Sequence, residues 1–157
     1  MDAAVAQLNH WSRSGVPAAA PPLIKIHNGT YVTDKYGNAV GGLRTPAVQA
    51  PIATLTGLGN TGNNPLCFLL GTTTPLTAGQ LAKLYPNHAV YVLAVERAAA
   101  QDVRAGFLLP GDALQIDAAA AASQTGLPPA HRLTLPARVA GPGISLSLAA
   151  SQGQAEA

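Results

Sequence analysis

Gly57-Leu-Gly59-Asn-Thr-Gly62 has the spacing G-x-G-x-x-G, which in a strand–turn–helix unit cradles a dinucleotide pyrophosphate. That chemistry needs a helix to open there, so that its first amides meet the anion. Here Asn63, Asn64 and Pro65 follow, and Thr77, Ala78, Gly79 and Gln80 stand where a ribose-binding acid would be required. The run therefore reads as a turn-rich loop. Cys67 could act as a nucleophile with His88 as its base, but Leu66, Phe68, Leu69 and Leu70 flank it. Burial among such neighbours leaves a thiol inert, so a packed core cysteine is expected. His10, His27, His88 and His131 are far apart, with no H-E-x-x-H and no paired C-x-x-C, and read as four independent histidines.

Serine catalysis would need a serine on a strained strand-to-helix turn, G-x-S-x-G, with a histidine and an acid beside it. None of Ser12, Ser14, Ser123, Ser145, Ser147 and Ser151 has glycine at both −2 and +2; Gly143-Ile-Ser145 is half of the pattern. Asn28-Gly-Thr30 is a glycosylation sequon by letter and a tight turn by chemistry, and the turn is the stronger reading. Arg44 could face a substrate; the plainer expectation is an ion pair or a contact with backbone carbonyls. No catalytic, cofactor-binding or metal-ligating residue is assigned, and no cofactor is implied.

The elements around these residues follow from period and punctuation. Residues 3–13 read as a helix stopped by Gly15 and Pro17. LIKIH (23–27) and TYVTD (30–34) read as strands about Asn28-Gly29, and Gly37-Asn38 adds a second turn, giving a small meander over about 23–43. PIATLT (51–56) and LCFLLG (66–71) are short apolar segments. Thr77 and Gln80 have capping-box spacing and open a helix over about 78–85. A longer helix is expected over 87–105, with Val92, Val95, Ala99 and Val103 on one side. A third, from Pro110, carries a stripe of Ala113, Ile116 and Ala120. Residues 127–157, rich in Pro, Gly, Ala and Ser, are expected to form a poorly ordered tail.

The 157 residues suffice for one domain. Alanine is the commonest residue in the hydrophobic share of 48% and aromatics are only 4%, so the core is expected to be weakly stabilising. Charged residues make up 10%, well below the usual quarter, which suits a surface partly covered by something else. The basic residues are scattered, so no nucleic-acid face is expected despite a pI near 8.9. No apolar run approaches a membrane span, and no basic-then-apolar signal peptide is present; the compartment stays open.

Several blocks then occur in a telling order: LNHWSRSGVPAAAPP, GNAVGGLRTPAVQAPIATLTG, CFLLGTTTPLTAGQLAKLYPNHAVYVLAV and AGFLLPGDALQIDAAAAA. Together they resemble the C-terminal part of the alpha/beta hydrolase domain proteins, a large and mostly bacterial group. In that group the first helix reads like L-x-x-W-x-x-D/S-G-x-x-P-P and the later text like G-N-A-x-G-G-I-R-x-P-x-V-x-V-P. The resemblance covers about residues 3–125, and the text after Gly126 departs from it. It implies an α/β-hydrolase fold, a doubly wound and mostly parallel sheet with a Ser–His–acid site on its loops, acting on an ester or related acyl bond. In the family the nucleophile elbow lies upstream of this region, so no nucleophile is carried over to a residue here.

Two readings follow. In the first, residues 1–126 are the C-terminal portion of an α/β-hydrolase-like domain, a fragment or truncated form that is not catalytic alone. Its partner is the missing N-terminal part, and a small ester is the substrate of the full-length protein. In the second, the chain is a non-enzymatic helical binding module. Neither reading calls for nucleic acid or membrane as a partner.

Overall fold

The computed structural model describes residues 2–60, 62 and 66–127. Of the expected tail, all but Leu127 lies outside the described residues, as does His131. Helix α1 spans Asp2–Ser14, with Asp2 in its first turn and Arg13 in its last, the charge order that opposes the helix dipole. Gly15 ends it at φ +72°, its N–H donating to the Trp11 carbonyl at 2.9 Å.

The meander is present in condensed form. β1 (Ile26–His27) and β2 (Thr30–Tyr31) pair antiparallel around Asn28 and Gly29, both at positive φ. Val40 then closes on both arms: Lys25 N–H donates to its carbonyl and its own N–H donates to Val32, each at 2.9 Å. The strands are shorter than the sequence expectation, two residues each, although Val32 N–H still donates to the Lys25 carbonyl at 2.9 Å beyond them. Gly41, at φ +83°, lies so close to the Leu23 carbonyl that a Cβ there would sit 2.2 Å from its oxygen.

The strip that follows contains a one-turn helix, α2 (Pro46–Gln49), and, within the apolar segment 51–56, a strand, β3 (Ala53–Thr56). β3 pairs antiparallel with β4 (Thr72–Pro75), Ala53 opposite Pro75 and Thr56 opposite Thr72. Between them Cys67–Leu69 form a single 3-10 turn.

Three helices complete the chain. α3 (Ala78–Leu84) opens on the expected capping box, with Thr77 Oγ1 accepting from Gln80 N–H and Gln80 Oε1 accepting from Thr77 N–H. α4 (His88–Arg104) is capped by Asn87, whose Oδ1 accepts from Val90 N–H at 3.0 Å. α5 (Pro110–Ala121) starts on proline.

The core gathers Ala50, Tyr85, Tyr91, Val95 and Ala120, with Leu81, Leu84 and Ile116 packed against it. Tyr85 and Tyr91 meet edge to face at 5.1 Å, and the Tyr85 hydroxyl donates to the Pro51 carbonyl at 3.1 Å. The buried stripe of α4 is Tyr91, Val95, Ala98, Ala99 and Asp102; Val92 and Val103 flank it, so the expected stripe was rotated by about one residue. α1 buries no residue, and Gln7 Nε2 donating to the Gly106 carbonyl at 3.3 Å ties it to the α4–α5 turn.

Candidate functional site

Polar side chains converge where the strip 34–56 meets α4. Asp34 Oδ1 accepts from the N–H groups of Tyr36 and Asn38, at 2.9 and 3.1 Å, which folds the second turn of the meander around the carboxylate. Its Oδ2 accepts from Arg44 Nη2 at 2.7 Å. The same guanidinium donates to the carbonyls of Ala39 and Val48. Arg44 is thus a clasp holding the strip to the meander, the plainer of the two expectations for it. Burial pushes the Asp34 carboxyl up, but the Arg44 hydrogen bond, the two amides and the positive charge outweigh it and hold the pKa below its usual value.

Asn38 lies deeper, 1% exposed. Its Nδ2 donates to the Ala53 carbonyl at 3.2 Å and its Oδ1 accepts from Leu55 N–H at 2.7 Å. One amide side chain therefore occupies the edge of β3 opposite β4, pairing with the main chain as a neighbouring strand would.

Gln49, on α2, links this network to the helices: Nε2 donates to the Arg44 carbonyl at 2.6 Å and to Asp102 Oδ1 at 3.1 Å. Asp102 is 7% exposed and lies in the last turn of α4, where the helix dipole opposes a negative charge. Burial raises its pKa, offset in part by the Gln49 hydrogen bond. It is the one buried acid of the described residues, and sequence reading passed it over. The available signal was its position: Tyr91, Val95, Ala98 and Asp102 recur at helical spacing, placing an acid on an apolar stripe.

The residues weighed earlier for chemistry are not brought together. After Gly62 the next described residues lead into the 3-10 turn, with no helix to receive a phosphate. Cys67 is only half-buried and its neighbours Leu69 and Leu70 are exposed, so it is not the packed core cysteine expected from its flanks. His88 directs its two ring nitrogens at the carbonyls of Thr125 (2.8 Å) and Ala121 (3.1 Å), joining the start of α4 to the end of α5. His10 and His27 are exposed on α1 and β1. Ser12 and Ser14 donate to carbonyls of their own helix, and Ser123 Oγ accepts from Thr125 N–H. Among the described residues no group of His, Cys, Asp and Glu has metal-binding geometry, and no helix is long and apolar enough to cross a membrane.

Helices beside small antiparallel sheets define a mixed α/β chain, its polar contacts concentrated in one clasped strip. The chain belongs to the alpha/beta hydrolase domain family, whose model matches residues 1–118. The match takes in α1, the meander, the whole clasp and most of α5. No curated protein and no solved structure matches the chain.

Proposed function

We propose that this chain is the C-terminal portion of an α/β-hydrolase-like protein, a layer that covers the catalytic body and does not hydrolyse esters by itself. The observation that carries the reading is the uncovered apolar surface. α1 presents Val5, Leu8 and Trp11 at 64, 61 and 49% exposure and buries nothing. Leu23, Ile24, Ile26 and Tyr31 of the meander are exposed as well. Between Arg44 and Lys83 the sequence has no charged residue at all. Surface of this kind marks a docking face. The exposed sides of α3 and α4, by contrast, carry Lys83, Glu96, Arg97 and Arg104, as a solvent face does.

In this reading the partner is the remaining part of the hydrolase domain, which supplies the nucleophile, base and acid for a small ester or related acyl substrate. The test is p-nitrophenyl ester turnover by the purified chain. The expected result is no turnover above buffer; robust activity abolished by replacing one serine overturns the proposal. A second reading, a self-standing helical binding module, is favoured by the closed cluster around Tyr85 and Tyr91. It requires a cooperatively melting monomer in circular dichroism, and broad, non-cooperative melting rejects it.

A further inference from the structure

The Asn28-Gly29 turn carries a reaction that neither functional reading uses. Among the described residues Asn28 is the one non-glycine at positive φ, and Gly29 follows it at φ +75°. Both are exposed, and nothing stands near the place a Cβ on Gly29 would take. Of the chain's asparagines, Asn28 alone precedes glycine. Neither its side-chain amide nor the Gly29 N–H forms a hydrogen bond with a described residue. The other described asparagines are held. Asn38 pairs with Ala53 and Leu55, Asn60 bonds to Gly71 and Gly62, and Asn87 caps α4. Asn9 stands inside α1, whose helical main chain ties up the next N–H.

The main-chain nitrogen after an asparagine can close a five-membered ring on its Cγ, and a glycine there leaves the approach free of a side chain. Gly29 N attacks Asn28 Cγ, its proton passes to the departing NH₂, and ammonia leaves a succinimide. Water then opens the ring. Breaking the new Cγ–N bond gives aspartate; breaking the original bond to the Asn28 main-chain carbonyl carbon gives isoaspartate, with the chain running on through Cγ. The net change is one water taken up and one ammonia released, with no oxidation. The turn must open for the nitrogen to reach Cγ. β1 and β2 share only the pairs Ile26 with Tyr31 and His27 with Thr30, and a ribbon of this size is marginal. We propose that Asn28 is a self-modifying site, converting to isoaspartate and aspartate without an enzyme while the rest of the chain stays folded. Isoaspartate lengthens the main chain of a tight loop, so the register of β1 with β2 is lost. Aspartate adds only a charge and suits the same turn. None of this depends on a hydrolase partner.

To test it, the full-length chain is aged in mildly alkaline buffer, folded and in urea. Residue 28 is followed by peptide mapping with isoaspartyl methyltransferase labelling. Conversion in the folded chain is expected to run within about a hundredfold of the rate in urea, as local opening allows. The Tyr91 amide, in the core, is expected to stay protected from hydrogen exchange meanwhile. Gly29→Ala is expected to slow conversion several-fold. Cross-strand nuclear Overhauser contacts between Ile26 and Tyr31 are expected to vanish in the isoaspartate species and to persist in Asn28→Asp. A greater slowing in the folded chain, or loss of Tyr91 protection in step with conversion, means that only global unfolding exposes the reaction and overturns the proposal. So do equal conversion at other asparagines, an unchanged rate in Gly29→Ala, and cross-strand contacts that survive isoaspartate.

Discussion

At the scale of single residues, Asp34 and Asp102 make opposite demands on pH. The Asp34 pKa is held below its unfolded value, so its stabilising contribution is present above about pH 4 and is lost as pH falls through the folded value. The Asp102 pKa is raised, so its contribution is fully present below about pH 4 and is lost as pH rises through the folded value. Asp102→Asn keeps an acceptor for Gln49 and removes the buried charge. It is therefore expected to raise the urea midpoint at pH 7, with the gain vanishing at about pH 4 and below. A variant less stable than the unaltered chain at pH 7 would mean that the carboxylate is stabilised there by its surroundings. Arg44 was legible as a carbonyl or ion-pair contact because it is a lone charge in a turn-rich strip. Asn38 was legible only as a turn residue, since its deep role depends on a strand that passes it from fifteen positions away.

At the scale of elements, what local chemistry dictates could be read and what distant pairing dictates could not. The Asn28-Gly29 turn and the Thr77–Gln80 box each need only four neighbouring residues, and both stand where the sequence put them. β4 is Thr72–Pro75, a polar run that becomes a strand only because β3 lies alongside it, and nothing in its own composition announced that register. The meander depends on the close approach of Gly41 to Leu23. Gly41→Ala places a Cβ against a backbone oxygen at positive φ, and neither can yield cheaply. The thermal midpoint is expected to fall, with a loss of at least about 1 kcal/mol. The matching change at Gly29, also at positive φ but with open space around the added carbon, is expected to do less harm. Equal effects at the two sites would remove the steric part of the argument.

At the scale of the whole molecule, the core sits on one side. The buried residues of α4 and α5 are chiefly alanines, with Tyr91 and Val95, and Tyr85 joins them from the end of α3, while Trp11, the single tryptophan of the chain, lies exposed on α1. Trp11→Ala is therefore expected to shift the unfolding free energy by no more than about 0.5 kcal/mol. Tyr91→Ala, inside the cluster, is expected to remove about 3 kcal/mol. Urea titration of both variants checks the contrast. A large loss at Trp11 would show that α1 already rests on a core of its own and needs no covering body. The family was legible through ordered blocks of text spread over the chain; the site was not, because its members come from α2, the meander and the far end of α4.

The amide of Asn38 has a consequence for how copies of this chain meet one another. A two-stranded ribbon ordinarily offers its outer main-chain groups as a template on which further chains polymerise. Here one side of that template is already stopped by a side chain, and the other is four residues long and ends in Pro75, which has no N–H to offer. The β3–β4 sheet is capped against runaway growth, which leaves the apolar face of α1, with Val5, Leu8 and Trp11, as the surface through which copies are expected to meet if they meet at all.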